Sequence, residues 1–196
     1  MLADFQIKKL THLFHILDFD HNNLIEKTDF EGITENIEIF TGIVQETDRL
    51  LGLNEQGELV WQSIKDFFND QEITSIDLHQ WLGFMENHFY SPEEDVINAN
   101  IKRLVNHIRN AFDKDHDLRI SGLEFMCLFV SCRVEVRFAH KCFKTIDLDK
   151  DGFIDLDELY IAANQFFKSN DPNDSGNYLF GELGSTHFST KKPLSF

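Results

Sequence analysis

Residues 147–158 read Asp147-Leu148-Asp149-Lys150-Asp151-Gly152-Phe153-Ile154-Asp155-Leu156-Asp157-Glu158, and their spacing decides the fold. Carboxylates stand at positions one, three, five, nine and twelve, with glycine at six. This is the D-x-[DN]-x-[DN]-G-x5-E template of a calcium loop. The ion dictates the spacing. Ca2+ takes six to eight oxygens at about 2.3–2.6 Å, so alternate residues of a tight loop must turn oxygens inward. Asp147, Asp149 and Asp151 would each give one carboxylate oxygen, Phe153 its backbone carbonyl, and Glu158 both oxygens from the exiting helix. Asp155 sits where a ligand often acts through water, and Gly152 permits the sharp turn. Ile154, at position eight, is expected to pair with its counterpart in a neighbouring loop.

Two further stretches follow the template with departures. Residues 113–124 offer Asp113, Asp115, Asp117, the Arg119 carbonyl, Ser121 through water, and Glu124, with Ile120 at the pairing position. Leu118 replaces the glycine. If the left-handed backbone is kept, a branched residue there costs about 1–2 kcal/mol. Residues 18–29 offer Asp18, Asp20, Asn22, the Leu24 carbonyl, Glu26 and Asp29. Asn23 at the glycine position is a mild change, because asparagine tolerates left-handed backbone well. Asp29 is the larger one: shorter than glutamate by a methylene, it favours one-oxygen coordination and six-coordinate Mg2+ over Ca2+. That loop reads as a mixed metal site.

Such helix–loop–helix units, EF-hands, work in pairs, so three imply a fourth. Between Phe68 and Trp81 the hydrophobic pattern recurs with Ile76 at the pairing position. Asn69, Gln71, Ile73 and Gln80 then fall at ligand positions and cannot chelate, giving a structural partner without metal. Helical apolar spacing recurs at Leu10, Leu13, Phe14, Leu17; at Trp61, Ile64, Phe67, Phe68; and at Leu78, Trp81, Leu82, Met85, Phe89. It returns at Ile97, Ile101, Leu104, Val105, Ile108, Phe112; at Phe138, Cys142, Phe143, Ile146; and at Leu159, Ala163, Phe166, Phe167. No two-residue alternation marks a sizeable sheet. The predicted class is all-α, with four EF-hands in two paired lobes forming one compact globule. Ser91-Pro92-Glu93 marks the boundary, giving an N-terminal pair at 1–90 and a C-terminal pair at 91–170. Gly52–Gly57 reads as a loop. A tail, 171–196, carries enough large apolar groups for at least Tyr178–Leu183 to pack on the core.

Composition narrows the function. The 196 residues carry a formal charge of −16, which disfavours nucleic acid and anionic membrane surfaces as partners. The three loops hold 14 of the 34 acidic side chains and four of the 18 basic ones, so −10 of that charge sits in 36 residues. No uncharged run approaches the ~20 residues of a membrane span, and Met1–Phe5 lacks a secretory pattern. Cys127, Cys132 and Cys142 form neither a disulfide framework nor a zinc pattern. A cytoplasmic monomer is expected, the Asn173-Asp174-Ser175 sequon carrying no weight there. His12 and His15 share a helix face but are too few for a catalytic metal, and no nucleophile–base pairing is visible. No enzymatic activity is expected.

Over nearly its whole length the chain resembles the sarcoplasmic calcium-binding proteins and the calerythrin-like proteins. Four EF-hands with the second degenerate carry the resemblance. So does Asp171-Pro172-Asn173-Asp174-Ser175-Gly176-Asn177-Tyr178-Leu179-Phe180-Gly181, which matches that family's D-P-x-x-x-G-N-W/Y-L-F/W-G ending. The resemblance implies two lobes packed face to face around an aromatic core, serving as a cytosolic Ca2+/Mg2+ buffer or carrier. Three methionines are too few for the adaptable groove of a calcium sensor, whereas 20 phenylalanines suit a fixed core. The alternatives are a sensor that takes a protein target on Ca2+ loading, and, further off, a photoprotein-like carrier of an apolar ligand. Against the latter, only Trp61 and Trp81 are present and the ending Pro193–Phe196 lacks the photoproteins' terminal proline.

Overall fold

The computed structural model describes residues 2–42, 47–90 and 93–184, and these form eight helices and four two-residue strands. In chain order, α1 (Asp4–Leu17), β1 (Ile25–Glu26) and α2 (Lys27–Thr41) make the first helix–loop–helix. Next come α3 (Thr47–Phe68), β2 (Ser75–Ile76) and α4 (Leu78–Phe89), then α5 (Glu94–Phe112), β3 (Ile120–Ser121) and α6 (Gly122–Ser131). After a 3-10 turn at Val136–Phe138, α7 (Ala139–Ile146), β4 (Phe153–Ile154) and α8 (Leu156–Lys168) complete the fourth. The count of four motifs is as the sequence predicts.

Two short antiparallel ladders tie the loops in pairs. Ile25 faces Ile76, and Ile120 faces Ile154, all four buried. These are the eighth-position residues. Each ladder is only two residues long, far too little to stand alone, so its stability comes from the helices packed beneath it. Exiting helices start on capping boxes, in which the first and fourth residues satisfy each other's orphan backbone N–H. Asp155 accepts from the Glu158 N–H at 2.8 Å while Glu158 accepts from the Asp155 N–H at 3.0 Å. Asp77 and Gln80 make the same exchange at 2.9 and 3.0 Å.

The apolar faces meet in one aromatic core that crosses between the halves of the chain. Phe89 of α4 stacks on Phe167 of α8 at 4.3 Å between centroids. Trp81 donates its indole N–H to the Leu10 carbonyl, and Asn36 of α2 donates to the Ser131 carbonyl at the end of α6. Lys9, fully buried, donates from Nζ to the carbonyls of Gln165 and Ser169 at 3.0 and 2.6 Å. An ammonium there meets the carbonyls at the C-terminal turn and the negative dipole end of α8. Within residues 171–184 the chain lies against α8 and α1. Leu179 is buried, Phe180 meets Phe166 edge-on, and the Phe180 carbonyl is paired with His12 Nε2 at 2.9 Å. Gly176 lies so close to α8 that a Cβ would run into the Ala162 carbonyl, so this glycine is required by contact. Residues 185–196, part of that expected tail, lie outside the described residues.

One expectation is corrected. Gly52–Gly57 is not a loop: α3 runs through it without a break. Each glycine in a helix costs about 1 kcal/mol relative to alanine. That cost is outweighed because Leu53, Trp61 and Ile64 lie on one buried stripe. At Gly57 the neighbour is close too, since a Cβ would stand 3.5 Å from the Phe30 Cβ of α2.

Candidate metal centres

Each of the three acidic loops folds around the same hydrogen-bond scheme. The position-one carboxylate accepts from the N–H of position six: Asn23 to Asp18 at 3.0 Å, Leu118 to Asp113 at 3.1 Å, Gly152 to Asp147 at 3.2 Å. Position five accepts from position seven at 2.8 Å in all three, through Asn22, Asp117 and Asp151. Position twelve reaches back to bind the N–H groups of positions two and nine. The outer lone pairs are thus engaged by the loop's own backbone, which fixes the side-chain rotamers that point inward.

The backbone torsions explain the sixth position. Asn23, Leu118 and Gly152 have φ of 66°, 70° and 93°. Leu118 therefore does adopt the left-handed conformation that costs a branched residue about 1–2 kcal/mol. Position four is left-handed as well, at His21, His116 and Lys150 with φ of 65°, 61° and 64°. The sequence carries no sign of that, because none of the three is glycine.

Carboxylate oxygens of positions one, three and twelve converge in each loop. Asp18, Asp20 and Asp29 form one cluster, Asp113, Asp115 and Glu124 a second, Asp147, Asp149 and Glu158 a third, each with ligand atoms within 4.8 Å of one another. Asp29 does what the two glutamates do despite its shorter side chain. Its Oδ1 accepts from Phe19 at 2.9 Å and its Oδ2 from Glu26 at 2.7 Å. Burial pushes the Asp29 carboxyl above the usual range, while the N–H groups of Glu26, Phe19 and Asp20 pull it back. The fifth-position carboxylates stand outside these clusters. Arg119 holds Asp117 at 3.3 Å and Asp151 at 3.6 Å, its guanidinium lying over the Phe153 ring. One side chain thus spans both C-terminal loops, a role that spacing alone did not reveal. The backbone carbonyls of Leu24, Arg119 and Phe153 stand at position seven, immediately before the pairing residue of each loop.

The donor set fits a hard divalent cation. Three buried first-position carboxylates, Asp18, Asp113 and Asp147, would be costly without a counter-charge. Asp147 Oδ1 is buried and accepts no hydrogen bond. A cation supplies the partner this oxygen lacks, and all-oxygen ligation is the preference of Ca2+ and Mg2+ over softer metals. Loop 69–80 differs. Asn69 and Gln71 are exposed, and Gln71 is engaged by Gln62 and Asp66, while Lys65 donates to the Gln71 carbonyl at 2.7 Å. Among the described residues no carboxylate cluster forms there.

Comparison with known proteins agrees with this geometry. A family model described as EF hand matches residues 138–161, the unit around the third cluster. No curated protein sequence matches the chain. Among solved structures, the calcium-loaded apo form of coelenterazine-binding protein from Renilla muelleri superposes with a TM-score of 0.72 at 17% identity, covering 93% of this chain and 100% of that one. A sarcoplasmic calcium-binding protein from amphioxus gives 0.69 at 17% identity over 93% and 99%. A Streptomyces coelicolor calcium-binding protein gives 0.67 at 17% identity over 85% and 99%. At such identities the likeness is one of fold: the chain is an EF-hand protein in architecture, with Ca2+ as the cation its acidic clusters suit. No helix among the described residues is long and apolar enough to cross a membrane.

Proposed function

We propose that this protein is a cytosolic Ca2+/Mg2+ buffer or carrier, monomeric and without catalytic activity, holding three divalent cations. Its first lobe, residues 1–90, holds one, and its second, 91–170, holds two, with the tail 171–196 sealing the core. The observation that carries the reading is the repeated convergence of three carboxylates in loops 18–29, 113–124 and 147–158. The side chains of Asn22, Asp117 and Asp151 and the carbonyls of Leu24, Arg119 and Phe153 complete the ligand sets. Loading neutralises buried carboxylates that otherwise oppose folding, so metal and stability are linked. A buffer also needs a fixed core. The cross-lobe stacking of Phe89 on Phe167 and the buried Lys9 latch support that, because opening a lobe would break both.

Calorimetric titration with Ca2+, with and without millimolar Mg2+, tests the reading. Three sites are expected, with the weakest competition from Mg2+ at 147–158; a count of two would remove loop 18–29, and fewer than two would overturn the reading of the second lobe. Glu158→Gln should remove one site and leave the others. Dye binding to exposed apolar surface should stay flat on loading, whereas a sharp rise would favour the sensor reading. The apolar-ligand carrier has one observation of its own: His12 Nδ1 and the Tyr90 hydroxyl are buried polar atoms without a hydrogen-bond partner. A chromophore or apolar compound extracted from purified protein would establish that reading instead.

A further inference from the structure

A second site lies outside the loops, in a cleft of about 600 Å3 between α3 and α5 that ends at loop 113–124. Its walls run against the character of the molecule. In a chain with six arginines and a charge of −16, two arginines, Arg103 and Arg109, line this cleft. Among the described residues neither makes an ion pair, and Arg109 donates only to the Asn110 side chain at 3.0 Å. Residues 103, 106, 107 and 110 share the α5 face toward α3 by helical spacing, and 109 flanks it. Asn106 and Asn110 lie between the two arginines. His107 adds a hydrogen-bonding nitrogen rather than a charge, because burial lowers its pKa below the usual imidazole value. Among the described residues, Asp113, first position of the metal loop, is the one carboxylate that lines the cleft.

We propose that this cleft binds a small molecule carrying two phosphate groups, gated by metal in loop 113–124. Guanidinium groups match phosphate oxygens in a planar, two-point fashion that an ammonium cannot offer. Arg103 and Arg109 are six residues apart, about 9 Å along the helix axis and about 120° around it, one on the face and one at its edge. Two separated phosphates suit that spacing better than one. Asn106, Asn110 and His107 face the linker between them, with Leu53 as an apolar floor. The volume suits a metabolite-sized ligand. Gating follows from charge. Without metal, Asp113 and its neighbours Asp115, Asp117 and Glu124 repel an anion at the mouth; a divalent cation cancels two of those charges. By reciprocity, the anion then tightens the metal by the same factor. This gating rests on the proposal that loop 113–124 takes a cation.

The test is calorimetry on the full chain with butane-1,4-diol bisphosphate, using n-butyl phosphate as the single-phosphate control. In calcium-loaded protein the bisphosphate should bind one to one, at least about tenfold tighter than the control, and Arg103→Gln or Arg109→Gln should each weaken it at least about tenfold. Both variants should retain three calcium sites, which shows that they are folded. Equal binding of the two compounds, or binding unchanged in both variants, overturns the site. Removing calcium should weaken the bisphosphate by about tenfold. Glu124→Gln separates the two proposals. Should it still load three ions, the ligand reading of loop 113–124 fails; should it load two and bind the anion as well as the parent, the gating fails.

Discussion

The first pair of loops and the second are built on one scaffold and equipped differently. Loop 69–80 keeps the ladder through Ile76 and the capping exchange of Asp77 with Gln80, yet it offers no carboxylate at positions one, three, five or twelve. Loops 113–124 and 147–158 keep the same ladder and capping geometry and add the converging acids. The fold of an EF-hand and its chelation are therefore carried largely by different residues. Position eight and the capping pair hold the shape, positions one and three hold charge alone, and position twelve serves both. In the degenerate loop side-chain hydrogen bonds hold the turn. Lys65 ties down the Gln71 carbonyl, and Gln62, Asp66 and Gln71 close the turn.

That separation can be broken by adding the charge back. Asn69→Asp, Gln71→Asp, Ile73→Asp, Thr74→Gly and Gln80→Glu together should raise the calcium count from three to four in a titration. A count that stays at three would mean that the scaffold of the second loop differs from the others in more than its ligands. The next contrast lies between Asp29 and the two glutamates at position twelve. Asp29→Glu should raise Ca2+ affinity at loop 18–29 and reduce Mg2+ competition there by about tenfold, through a second oxygen on the ion. Unchanged selectivity would show that Asp29 already gives both oxygens.

Leu118 against Gly152 is a subtler pairing. Leu118 pays in backbone strain at φ of 70° and is mostly exposed, so its side chain returns little. Leu118→Gly should release up to about 1–2 kcal/mol, narrowing the affinity gap between loops 113–124 and 147–158. A lower affinity would place the strain elsewhere. A last effect concerns pH. Burial lowers Lys9 to about 8, with Asp174 opposing, from an ordinary 10.5. Between those values the unfolded chain binds more protons than the folded one, so stability should rise with pH from about 8 to 10.5. Denaturant midpoints at pH 8 and 10 should show that rise in the parent and a smaller one in Lys9→Met; identical slopes would remove Lys9 as the cause.

Much of this was legible in the sequence, and what was not has physical reasons. The loops could be read because chelation demands particular residues at fixed spacing. Ile76, Ile120 and Ile154 followed from counting to position eight. The tail could be read from its apolar content. Gly52–Gly57 misled because glycine is a weak signal that a buried stripe overrides, and Leu53 alone gave little hint of that stripe. Arg119 was assigned only a carbonyl, since nothing local shows that its guanidinium crosses to Asp151 in the next loop. Nothing in the sequence around Lys9 marks it as buried. Its partners at Gln165 and Ser169 lie beyond any sequence window.

The distance of those partners along the chain has a consequence for how the molecule is made. Lys9 leaves the ribosome about 160 residues before Ser169, and α1 carries the entry to loop 18–29. The first of the eight described helices in chain order thus waits for an anchor at the end of the eighth, and closing contacts of such sequence separation is slow. Loop 18–29 therefore leaves the ribosome well before the helix that leads into it is latched. Nascent chains stalled before residue 165 should leave α1 open to protease even in saturating calcium, whereas the released protein should protect it.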